Sequence, residues 1–143
     1  MKILCDTCCV LLIIRIVPEM FTDNRFRCFT IREVRDEIIQ TQKFKAKYPW
    51  KTDYMDKIRI TILTKEDKKS FDLHFVIIDQ LVEYGTINNR TRRFFDLGYK
   101  DRNIIAYSLA TDSQLATNDR EMKDFVRQQF ERSSLSSLAL LNI

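Results

Sequence analysis

The stretch ILCDTCCVLLII, residues 3–14, sets one aspartate among three cysteines inside an apolar run. Residues 2–5 (KILC) suit a short buried strand. Thr7 to about Ile16 suits a buried helix that Pro18 ends or follows. Two chemical readings compete for this stretch. Either Cys5, Cys8 and Cys9 form a metal or redox cluster, or Asp6 carries the function and the thiols pack around it.

The totals narrow the choice. With 143 residues the chain predicts one domain, residues 1–143, burying roughly two-thirds of its surface in a single core. It is 45% hydrophobic and 31% charged, with two glycines and two prolines, which excludes a disordered tract. A net charge of +4 tolerates a polyanionic partner without demanding one. The four cysteines sit near the N-terminus of a chain too large to need disulfide staples, so reduced thiols in a cytoplasmic protein are expected. Asp6 interrupts the would-be apolar region of a signal peptide, and Arg15 closes it. The apolar run from Cys8 to Ile14 is too short to cross a bilayer, so no membrane association is expected.

Strand and helix patterns alternate along the chain. RCFT (27–30) reads as a short strand or turn. Thr30 is placed to cap the helix IREVRDEIIQTQ, and Glu33 completes a capping box. KIRITILT (57–64) alternates and predicts a strand. A helix over Glu66–Tyr84 comes next, with Phe71, Phe75, Ile78 and Val82 on one stripe and Gly85 ending it. TINNRTRRFFDLGY (86–99) is turn-rich, RNIIAYSLATDS (102–113) helical, QLAT (114–117) a buried strand and DREMKDFVRQQF (119–130) an amphipathic helix. SSLSSLALL (133–141) reads as a short closing strand. The segment 43–56 matches no element. This alternation predicts a three-layer α/β sandwich around a mainly parallel sheet.

The residues at the strand ends are informative. The first strand runs into Asp6 and QLAT runs into Asn118 and Asp119. Ligands of open α/β sheets bind outside the carboxyl ends of the strands, so these acids converge if the two strands are neighbours. Glu37 shares a helix face with Thr30, Val34 and Thr41. Asp101 opens a helix whose dipole favours a carboxylate there. Glu33, one turn from Glu37, and Asp96, before Asp101, compete for the same roles. Four acids converging without basic partners need a cation, and hard oxygen donors suit Mg²⁺ or Mn²⁺.

The motifs DT at 6–7, TIREVRDEI at 30–38, GYKDRNIIAYSLA at 98–110 and LATND at 115–119 together closely resemble the PIN-domain nucleases. The resemblance covers most of the chain. It implies a PIN-like fold and a metal-dependent ribonuclease acting on single-stranded or looped RNA. Asp6, Glu37, Asp101 and Asp119 would be the catalytic, metal-binding carboxylates, supported by Thr7, Thr117 and Asn118. Asp6 and Asp101 would be the primary metal ligands, with Glu37 beside them and Asp119 at a weaker second site. The products would carry a 5′-phosphate and a 3′-hydroxyl. It further implies a VapC-like toxin with an antitoxin partner, and a homodimer. Where the family often carries Asn or Ser two residues after the first Asp, this chain has Cys8, a poorer hydrogen-bonding group.

Other readings stand beside this one. Arg90, Arg92 and Arg93, interleaved with Phe94 and Phe95, form a basic-aromatic segment able to hold phosphates and stack on unpaired bases, or a solvated helix end. A PIN-like scaffold that binds RNA or protein without cutting is the second hypothesis. A thiol redox protein using Cys5 and Cys8 is the third. The lone histidine, His74, and the lack of a glycine-rich loop exclude most other hydrolytic and nucleotide-binding sites.

Overall fold

The computed structural model describes residues 2–23, 25–40, 58–60 and 62–142. Its centre is a four-stranded sheet in the order β2-β1-β3-β4, formed by β1 (Ile3–Cys5), β2 (Cys28–Phe29), β3 (Gln114–Ala116) and β4 (Ser134–Leu135). Every pairing is parallel: Leu4 lies opposite Phe29 on one side and Leu115 on the other, and Leu115 lies opposite Ser134. Parallel strands covered by helices on both faces are apolar throughout, and Ile3, Leu4 and Cys5 are all buried. A fully buried side chain such as Leu4 or Leu115 contributes about 1.5–3 kcal/mol.

The helices flank this sheet. They are α1 (Thr7–Ile16), α2 (Glu19–Thr22), α3 (Arg32–Gln40), α4 (Lys65–Glu83), α5 (Tyr99–Ala110), α6 (Arg120–Phe130) and α7 (Ser137–Leu141). Helix α1 packs with α2, α3 and α7, while α4 lies along α5 and α5 contacts α6. The expected stripe of α4 holds: Ile78 is fully buried, and Phe71, Phe75 and Val82 pack against the core. Gly85 ends the helix in the left-handed region at φ +79°, where its N–H reaches the Val82 carbonyl at 3.1 Å. No helix among the described residues is long and apolar enough to cross a membrane.

Four local expectations are corrected. KIRITILT gives, among the described residues, one parallel bridge, Ile60 to Thr30, rather than a strand. It runs beside β2, which is itself two residues long, and Thr64 then turns the chain by capping α4 through the Asp67 N–H at 3.1 Å. Thr30 does not cap α3 as expected, because its hydroxyl donates to the Cys5 carbonyl at 2.8 Å and ties β2 to β1. SSLSSLALL divides into β4 and α7, since Ser136 accepts the Ala139 N–H at 3.1 Å and starts a helix. Helix α5 begins at Tyr99, three residues before the expected start, so Asp101 lies inside its first turn. The segment 43–56 and the expected end of α3 at Thr41 and Gln42 lie outside the described residues.

Candidate active site

The chain leaves β1 to one side for β2 and returns to the other side for β3 and β4. The strand order therefore reverses between β1 and β3, and the crevice at their carboxyl ends is where such sheets bind ligands. Asp6 comes directly after β1, and Thr117–Asp119 directly after β3. The Asp6 N–H donates to the Ala116 carbonyl at 3.1 Å, which fixes the two strand ends side by side.

Asp6 is 8% exposed and caps α1, its Oδ1 accepting the Cys9 N–H at 3.0 Å. Its Oδ2 accepts the Thr117 hydroxyl at 2.5 Å. Thr117 is completely buried, and its Oγ1 also accepts the Asp119 N–H at 3.0 Å, so one hydroxyl links two of the acids. Burial pushes the Asp6 carboxyl above its ordinary range, and the Asp119 charge adds to this. The Thr117 and Cys9 hydrogen bonds oppose both.

The other acids arrive from separate elements. Glu37, on α3, accepts the Thr7 hydroxyl at 2.9 Å, and its second oxygen lies 3.4 Å from Lys100 Nζ. Asp101, in the first turn of α5, is half-buried. Burial raises its carboxyl, followed by the charges of Asp119, Asp6 and Glu37, against a hydrogen bond from the Gly98 backbone. Asp119 is exposed and caps α6, its Oδ1 accepting the Glu121 and Met122 N–H groups at 2.9 and 3.4 Å. Asp101 thus lies within electrostatic reach of Asp119, Asp6 and Glu37, and Asp6 within reach of Asp119. The competitors take other partners: Glu33, though it lines a small cavity together with Glu37, hydrogen-bonds Tyr107, and exposed Asp96 bonds through its N–H to Glu121 at 3.2 Å.

Among the described residues no group of three or more Asp, Glu, His or Cys side chains is placed to hold a metal ion. The donors of the four acids are nevertheless all carboxylate oxygens, and neighbouring acids add to the burial that raises Asp6 and Asp101. Carboxylate oxygens are the donors Mg²⁺ takes, one or two of them directly and the rest of its shell from water. Asn118 has a supporting part, though a structural one: its amide grips Ser137, donating to Oγ at 2.8 Å and accepting the N–H at 2.9 Å. It thereby docks α7 beside the crevice.

The cysteines form no metal-holding group among the described residues. Cys5, Cys9 and Cys28 are buried and Cys8 is exposed. A hydrogen bond with the Cys28 thiol and burial hold the Cys5 thiol well above its ordinary range, and burial with the Asp6 charge pushes Cys9 up too. A thiolate is therefore disfavoured at Cys5, the first member of the C-x-x-C pair, while the Cys28 thiol is lowered by the same hydrogen bond. His74 Nδ1 lies 2.8 Å from the Ser70 carbonyl on its own helix, an acceptor that requires Nδ1 to be a donor.

A basic cleft runs along α6. Arg120, Lys123 and Arg127 fall on one side of α6, at i, i+3 and i+7, and with Arg90 and Arg132 line an open cleft of about 850 Å³. Arg90 reaches it because Asn88 and Arg90 bind Asp124 on α6, at 2.9 and 2.7 Å. Arg92 and Arg93 are exposed on the same loop and do not line the cleft. Sequence reading missed the α6 cations, although their spacing on an amphipathic helix was a usable signal. It also missed Lys100, which meets Glu37 only through tertiary packing.

No protein-family model matches the chain, and no curated protein matches it in sequence. In fold, the chain is similar to one in the crystal structure of VapBC2 from Rickettsia felis bound to a DNA fragment from their promoter. The two are 11% identical, the match covers 95% of this chain and 97% of that one, and the TM-score is 0.50. At this identity the likeness is one of architecture, an α/β PIN-like fold with an all-parallel central sheet.

Proposed function

We propose that the chain is a divalent-metal-dependent endoribonuclease of the PIN type, cutting single-stranded or looped RNA as one domain over residues 1–143. The electrostatic contact of Asp101 with Asp6, Glu37 and Asp119, close to the reversal of strand order, carries the reading. In this reading Asp6 and Asp101 are the main ligands of Mg²⁺ or Mn²⁺. Glu37 holds the same ion or orients the attacking water, and Asp119 completes a weaker second site. The bound ion supplies charge neutralisation at the phosphodiester and activation of water.

The chain's own groups do the positioning. The Thr117 hydroxyl and Cys9 N–H hold Asp6 in one orientation, and the Thr7 hydroxyl does the same for Glu37. Lys100, beside Glu37, and the cations of α6 steady the phosphates of the strand. Cleavage leaves a 5′-phosphate and a 3′-hydroxyl. The similar fold in the VapBC2 complex favours a toxin role with an antitoxin partner, and the reading adds a homodimer working in the cytoplasm. Asp6→Asn tests the reading: Mn²⁺-dependent cleavage of a fluorescent RNA should be lost while circular dichroism stays native. Full activity in that variant would sink the assignment.

The open spacing of the acids favours one competing reading, a PIN-like scaffold that binds RNA or a protein partner without cutting. RNA bound in chelator, with no Mn²⁺ taken up on titration, would decide for the scaffold.

A further inference from the structure

A small cavity of about 160 Å³ opens beside Glu37, between α3 and the first turns of α5. Its floor is apolar, formed by the buried side chains of Ile31, Val34 and Ile104. Tyr99 stands at its edge, 71% exposed, its ring held edge-on by Phe75 at 5.4 Å between centroids. Asn103 also lines it. That side chain is 7% exposed, yet its amide makes no hydrogen bond to any described residue. The only sealed side-chain polar atom without a partner among the described residues is Arg35 Nε, so the Asn103 amide keeps some contact with solvent. A nearly buried amide is normally paired, and one left open towards a cavity is completed by whatever enters it.

The features of this cavity combine as they do in recognition of single-stranded RNA. Unpaired bases stack on aromatic rings and are read along their edges by amides. An amide matches a base edge because it offers one donor and one acceptor side by side, as in the pairing of Asn with adenine. Glu37 belongs both to this cavity and to the carboxylate group. We propose that the cavity is a nucleobase pocket: an unpaired base of the RNA strand enters over Ile31, Val34 and Ile104, lies against Tyr99 and is read by Asn103. This rests on the nuclease reading of the neighbouring carboxylates and adds base selectivity to it. Lys100, at the same opening, meets the phosphate attached to that base.

The four 5′-mononucleotides and ribose 5-phosphate, titrated into the protein in chelator by NMR or calorimetry, test the pocket without any cleavage. The wild type should bind one nucleotide preferentially, and all of them more tightly than ribose 5-phosphate. Asn103→Leu should level the preference among bases. Tyr99→Ala, at an exposed position that does not endanger folding, should weaken nucleotides about tenfold but not ribose 5-phosphate. Ribose 5-phosphate binding as tightly as every nucleotide, or an unchanged preference in a folded Asn103→Leu, would overturn the pocket. If RNA is cut in Mn²⁺ while that happens, the nuclease reading survives alone. Selective nucleotide binding with no cleavage under any metal would keep the pocket and overturn the nuclease.

Discussion

Thr117→Val removes one buried hydroxyl and preserves the shape of the side chain, so its cost is almost purely that of hydrogen bonds. The hydroxyl donates to Asp6 Oδ2 at 2.5 Å and accepts from the Asp119 N–H at 3.0 Å. A hydrogen bond to a charged group contributes about 1.5–3 kcal/mol, and leaving a backbone N–H without its acceptor adds about 1 kcal/mol at a partly exposed turn. The variant should therefore lose about 2–4 kcal/mol in urea unfolding of the metal-free protein at pH 7. The same hydrogen bond holds the Asp6 carboxyl down against burial, so its removal raises that group further in the folded state. The folded variant then binds a proton at pH values where the folded wild type does not, and its stability falls more steeply as pH rises. The deficit is largest near neutrality and shrinks in acid, where Asp6 is neutral in both proteins. Thr117→Ser, which restores the hydroxyl, should recover most of the loss. A deficit under about 0.5 kcal/mol, one that is the same at every pH, or a serine variant as weak as valine would refute the reasoning.

Four further outcomes are expected. The carboxyls of Asp6 and Asp101 are raised in the folded state, so their favourable contribution is full below the ordinary carboxylate range and lost as pH rises through their folded values. Metal-free Asp6→Asn/Asp101→Asn should accordingly gain on the wild type as pH rises from about 4, as read by urea midpoints. Mn²⁺ should raise the melting temperature of the wild type alone. Gly85→Ala places a Cβ 3.2 Å from the Phe94 ring at φ +79°, and should lower stability by about 1–2 kcal/mol in thermal or urea melts. Lys123→Glu with Arg127→Glu should weaken RNA binding. It should also flatten the dependence of log K on log salt by about one unit or more, measured by fluorescence anisotropy in chelator.

The parts of the site that sequence made legible are those whose signal is local. A buried strand ending in Asp6, and another ending in Thr-Asn-Asp, each announce themselves within a few residues. Their parallel pairing then needs only the rule that strand ends gather at one edge of a sheet. Glu37 was harder, because Glu33 is a helical turn away and only packing turns one towards Thr7 and the other towards Tyr107. Thr30 misled for a related reason. Its local pattern is that of a helix cap, but the Cys5 carbonyl, 25 residues away in sequence, claims its hydroxyl. The cavity beside Tyr99 was invisible, since α3 and α5 meet around it only in three dimensions, and so was the arrival of Arg90 at α6 through Asp124.

The pairing of β1 with β3 has a consequence in time as well as in space. The contact between Asp6 and Thr117 spans 111 residues. On the ribosome the first aspartate emerges early, but the strand end that orients it and the acid beside it emerge only after most of the chain has been made. At roughly 5–20 residues per second, that is several seconds during which the emerging segment has its first carboxylate and no cluster around it. The carboxylate that opens the chain is therefore oriented only near the end of synthesis, when the strand that pairs with its own has been made.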